Sequence, residues 1–141
     1  MTYTKMSCVS LLFELLKLSK VTDKNPFNTI TRHDGENLFI ANEVCLFMGY
    51  DESEIGTEIS EHVDHKRTRT MGDYSDTNCE KLKELLLPHV EITEDIEKIV
   101  MLTESGLYQL LLRSRLENPV VSEIQTIFYN RILPSIGKRA P

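Results

Sequence analysis

The run Thr103-Glu104-Ser105-Gly106-Leu107-Tyr108-Gln109-Leu110-Leu111-Leu112-Arg113-Ser114-Arg115 sets the architecture of everything around it. Thr103 is suited to accept backbone N–H bonds as an N-cap, and Glu104 places negative charge on the positive end of a helix dipole. Leu107, Leu110 and Leu111 recur at helical spacing on one face, widened by Tyr108 and Leu112. Ser105, Gln109 and Arg113 stand four apart on the opposite face, which this spacing predicts to be wet. A second helix follows, with Ser122-Glu123-Ile124-Gln125 reading as its capping box and Ile124, Ile127, Phe128 and Ile132 as its buried stripe. Pro134 ends it. Asn118-Pro119 reads as the turn between the two, so the chain ends in a helical hairpin with a basic tip and tail.

Outward from that hairpin, the 141 residues predict one small domain of the α+β class, with short antiparallel strands and several helices. Phe27 to Thr31 and Asn37 to Ala41 read as strands joined through Arg32-His33-Asp34-Gly35-Glu36, where Asp34-Gly35 is a hairpin signal. Asn42 is placed to cap a short helix over Glu43 to Met48, and Gly49 suits its left-handed end. Asp51 to Val63 reads as a helix through Ile55, Ile59 and Val63. Cys79 to Leu87 reads as another, ended by Pro88, and Ile96 to Leu102 as a strand. At the N-terminus, Met6 to Val21 reads as a helix, and residues 1–24 as an amphipathic helix with a polar linker ahead of a domain over 25–141. Its apolar face, with Leu11, Leu12, Leu15 and Leu16, is wide enough for two readings: packing on the core, or a homodimer interface.

Composition excludes several classes. Hydrophobic content of 40% and charged content of 27% are those of a globular protein. The apolar run near Leu11 to Leu18 is interrupted by Glu14 and Lys17, which argues against a membrane span and against a signal peptide. Three cysteines, Cys8, Cys45 and Cys79, are odd in number and widely spaced, as expected of reduced thiols inside a cell. No phosphate loop or nucleophile elbow is present, so no enzyme activity and no cofactor are predicted. His62 and His65 stand at H-x-x-H spacing with Cys79 beyond, but a fourth ligand is missing, so no metal is assigned.

The net charge is −6 and is unevenly distributed. Residues 51–64 hold six acids and no Lys or Arg, while His65-Lys66-Arg67-Thr68-Arg69 adds +3 and residues 99–141 sum to +2. Two short helices joined at Gly49 suggest a helix-turn-helix, but Asp51, Glu52, Glu54, Glu58 and Glu61 on the second would face phosphates, which excludes it as a recognition helix. The nucleic-acid candidates are therefore Lys66, Arg67 and Arg69 with Arg113, Arg115, Arg131, Lys138 and Arg139. The competing readings are solvated charges paired with nearby acids and, for Arg113, a hydrogen bond to a loop carbonyl that fixes the hairpin.

Three blocks carry a family resemblance. Phe39-Ile40-Ala41-Asn42-Glu43-Val44, continuing from Leu46 through Met48-Gly49-Tyr50, resembles the first signature of the Bro-N domain. Leu102-Thr103-Glu104-Ser105-Gly106-Leu107-Tyr108, through Leu112-Arg113-Ser114-Arg115, resembles the second. Ile132-Leu133-Pro134-Ser135-Ile136-Gly137-Lys138 resembles the closing one. The family occurs in baculovirus repeated-ORF proteins, other large DNA viruses of insects and phage antirepressors. The resemblance implies a non-enzymatic viral regulator of transcription or replication, binding duplex DNA in the host nucleus or cytoplasm. An antirepressor-like module that binds a host or viral protein is the alternative. The sequence departs from the family in having Ile124 and Ile127 where a Phe and a Trp are common, and in its acidic middle.

Overall fold

The computed structural model describes residues 8–20, 22–32, 34–74, 76–89, 99–115 and 117–132. These comprise six α-helices and a four-stranded antiparallel sheet, an α+β arrangement with a C-terminal helix pair. The chain groups into two compact units, residues 27–114 and residues 1–26 with 115–141.

The larger unit is built on the sheet. Strands β1 (Ile30–Thr31), β2 (Asn37–Ile40), β3 (Thr68–Arg69) and β4 (Met101–Thr103) lie in the order β1-β2-β4-β3. The register pairs Ile30 with Leu38, Phe39 with Leu102, Ile40 with Met101, and Arg69 with Met101. Cross-strand partners point to the same face. Ile30, Leu38, Ile40 and Met101 accordingly share one core with Met71 and with Leu82 and Leu86 of α4 (Asp76–Leu86). On the other face Phe39 meets Phe27 edge-on at 5.9 Å, and Phe27 meets Phe47 of α2 (Ala41–Met48) at 6.0 Å. Helices thus cover both faces, and β2 is buried at three consecutive residues instead of alternating.

Strand β2 runs into α2 without a loop. The first N–H of α2, from Ala41, donates to the Val100 carbonyl, so Asn42 is not needed as a cap. Gly49 closes α2 at φ +104°, as its position predicts. Helix α3 (Glu52–His62) packs on α2 and on α5 (Glu104–Arg113) through Ile55 and Ile59. Thr103 caps α5, its Oγ1 accepting the Gly106 N–H at 3.2 Å.

The smaller unit packs α1 (Cys8–Leu18) on α6 (Pro119–Ile127) and on the π-wound turn Phe128–Ile132 that extends it. Helix α6 begins three residues before the expected capping box. Asn118 accepts the Val120 N–H at 2.8 Å, and Pro119 supplies the fixed φ of a first helical residue. The predicted turn is the helix start. The expected stripe of Ile124, Ile127, Phe128 and Ile132 is buried, and Pro134 lies outside the described residues. Of the two readings of α1, the burial of its leucines agrees with packing within the chain. Leu12 and Leu16 are fully buried and Leu15 is 8% exposed, leaving only Leu11 half-buried, because that face is covered within the chain.

Candidate nucleic-acid interface

The basic run folds as a tight turn. His65–Arg67 form one 3-10 turn and Thr68–Arg69 form edge strand β3, paired only with β4. This turn is held against the start of α5 by backbone as well as side chain. The Arg67 carbonyl accepts the Thr103 hydroxyl at 3.2 Å, and it stands 2.5 Å from where a Cβ on Gly106 would sit. Only glycine lets helix and turn approach so closely.

Asp64 is the centre of the site. Gln109 grips it twice: the Asp64 N–H donates to Gln109 Oε1 at 3.0 Å, and Gln109 Nε2 donates to Asp64 Oδ2 at 2.9 Å. Gln109 is therefore buried, not wet as its spacing with Ser105 and Arg113 predicts. Arg67 Nε lies 3.8 Å from one Asp64 carboxylate oxygen and Arg113 Nη1 lies 3.8 Å from the other. Gln109, assisted by Arg113, Arg67 and Lys66, holds the Asp64 carboxyl below the usual carboxylate range. Lys66 is exposed. Arg67 and Arg113 thus flank one carboxylate, although the sequence separates them widely, and Lys66 is the exposed neighbour of Arg67.

Arg113 also donates to the His62 carbonyl at 3.4 Å, a long bond in keeping with the loop-fixing reading. Arg69 is more firmly engaged. Its Nη1 donates to the Lys66 and Thr68 carbonyls at 2.7 and 2.8 Å, and its Nε pairs with Glu36 at 3.3 Å. Glu36 in turn binds Arg32, a buried cation that also pairs with Asp34 and stacks over Tyr74 at 4.0 Å. Arg115 and Arg131 are exposed and belong to the smaller unit, while Lys138 and Arg139 lie outside the described residues.

Sequence reasoning missed Asp64, Gln109 and Arg32. The signal for Arg32 was present, with acids two and four residues on across a hairpin turn. Asp64 and Gln109 are 45 residues apart, and nothing local links them. Helix α3 does pack on α2, but Asp51, Glu52, Glu54 and Glu61 are exposed, so its outer surface is acidic. His62 pairs with Glu58 at 2.9 Å and not with His65; Glu61 stands beside this pair on α3, the three potential ligand atoms within 4.8 Å of one another. The side chain of Cys79 is outside the described residues. Between α3 and the β3 edge runs a groove of about 490 Å³ lined by Gly56, Ile59, Ser60, Val63, His65, Thr68, Thr70 and Val100.

Tyr50 and Ser114, both buried, share a hydroxyl–hydroxyl hydrogen bond, and burial raises the Tyr50 phenol. Cys45 is buried and unbridged, its thiol pushed up to about 12 by desolvation and by the Glu58 charge. No described helix is long and apolar enough to cross a membrane.

The arrangement is a cluster of basic side chains, with the carboxylates that pair with them, carried on a helix-flanked sheet. Residues 26–134 match the family described as BRO family, N-terminal domain, and the chain belongs to that family. The family is one of regulatory, DNA-binding domains and is not known for catalysis. No curated protein and no solved structure matches the chain significantly.

Proposed function

We propose that this protein is a viral regulator that binds duplex DNA without chemistry, in control of transcription or replication within the infected host cell, nucleus or cytoplasm. The observation that carries the reading is the convergence of Arg67 and Arg113 on one exposed carboxylate, with Lys66 exposed beside Arg67. These three are the proposed phosphate contacts. Arg69 ties the turn down beneath them, and Arg115, Arg131, Lys138 and Arg139 are further candidates. Contacts of this kind are sequence-independent and position the protein on the backbone. A gel shift with duplex DNA at low salt tests the reading. Binding that the Lys66→Ala, Arg67→Ala, Arg113→Ala triple variant weakens by tenfold or more is expected; binding no tighter than millimolar would refute it.

A second reading rests on the acidic outer surface of α3, with Glu52, Glu54 and Glu61 exposed, which suits a basic host or viral protein partner in an antirepressor-like role. A complex captured from infected-cell extract that survives nuclease treatment, and is lost when those three glutamates become glutamine, is its signature.

A further inference from the structure

Two of the three proposed cations, Arg67 and Arg113, are already answered by a carboxylate, and the two halves of that contact differ in tightness. Asp64 is fixed, held by Gln109 through bonds of 2.9 and 3.0 Å. Its contacts to the two arginines are looser, and among the described residues Arg113 has besides only the long 3.4 Å bond to the His62 carbonyl. Each arginine stands 3.8 Å away, beyond hydrogen-bond range, and their side chains are 36% and 53% exposed. Loose exposed ion pairs are worth little and exchange readily. Oxygen geometry is the second point. The two carboxylate oxygens face Arg67 and Arg113 separately, as two oxygens of a phosphate would. Gln109 is buried and serves no other partner among the described residues, so its effect is to keep a negative charge at this spot.

We infer that Asp64 is an internal phosphate mimic that Arg67 and Arg113 leave when they engage the nucleic-acid backbone, so that it holds down the affinity of the site. This rests on the DNA-binding reading above. Without nucleic acid, Asp64 keeps the two guanidinium groups oriented over the turn. With it, a phosphate takes over the guanidinium groups while Gln109 holds Asp64 in place. The cost of that exchange makes the site weak, and because Asp64 stands in for solution counterions it also makes binding less dependent on salt.

Asp64→Asn is the fitting probe. The asparagine oxygen still accepts from Gln109 Nε2 and the backbone N–H still donates to Gln109 Oε1, so only the charge is lost. Binding of a labelled duplex is measured across a salt series for the wild type, Asp64→Asn and Glu61→Gln, the last removing an equal charge from the exposed side of α3. The expected result is a three- to tenfold tightening for Asp64→Asn at low salt, a salt slope steeper by about one, and less than a twofold change for Glu61→Gln. Wild-type binding that Asp64→Asn leaves unchanged or weakens, with its melting temperature preserved, overturns the inference and spares the DNA-binding reading. Equal effects of the two substitutions overturn it too, since net charge alone would then suffice. If neither wild type nor Asp64→Asn binds, both readings fail together.

Discussion

At the scale of single residues, the site depends on a missing side chain. Gly106 lies under the Arg67 carbonyl, and a Cβ there would come within 2.5 Å of that oxygen. Alanine gains up to about 1 kcal/mol of helix propensity over glycine. The clash is with backbone, however, and such overpacking costs about 1–3 kcal/mol. Gly106→Ala is expected to lower the urea midpoint and to weaken DNA binding by shifting the turn that carries Lys66 and Arg67. Cys45 gives a pH prediction. Its folded pKa is raised to about 12, so in the folded state the thiol keeps its proton where the unfolded chain has lost it. The associated stability is full below the ordinary thiol range and is lost as pH rises through about 12. Urea midpoints should therefore fall between pH 9 and 12, and fall less in Cys45→Ala. An equal alkaline loss in that variant would contradict the assignment.

At the scale of elements, the β1–β2 hairpin and the β3 edge are joined by one charge chain, Arg69–Glu36–Arg32–Asp34. Arg32 is buried against Tyr74, so Arg32→Ala removes both a cation–π contact and the partner of Glu36. Asp34 and Glu36 keep some solvent, which holds the loss, read as a fall in Tm, below that of about 3–5 kcal/mol for a fully buried pair. Helix α1 makes a different test. With Leu12 and Leu16 fully buried, Leu16→Ala should cost about 2–5 kcal/mol regardless of protein concentration; a concentration-dependent loss would favour the dimer reading. The elements legible in the sequence are those with local signals. Thr103 caps α5 and Gly49 ends α2 because their neighbours alone determine it. Asn118-Pro119 reads as a turn in the sequence because Asn-Pro signals both a turn and a helix start, and the structure places Pro119 at the first helical position. The grip of Gln109 on Asp64 was not legible, because helical periodicity places Gln109 opposite the leucines and is silent about a loop packed from 45 residues away.

At the scale of the whole molecule, the difficulty is charge. A chain of net charge −6 is repelled by DNA at long range, and α3 displays much of that charge. Binding must then come from short-range contacts, whose number the salt dependence counts at about 0.9 per phosphate. Family membership supplies the class of function, and the geometry proposes which cations serve it. The most direct measurement is a fluorescence-anisotropy titration of labelled duplex DNA over a range of salt, wild type against the Lys66→Ala, Arg67→Ala, Arg113→Ala variant. The wild type is expected to give a log–log slope of about −3 and the variant a slope shallower by about 2–3, with its melting temperature retained. A folded variant that binds with the wild-type affinity and slope would contradict it.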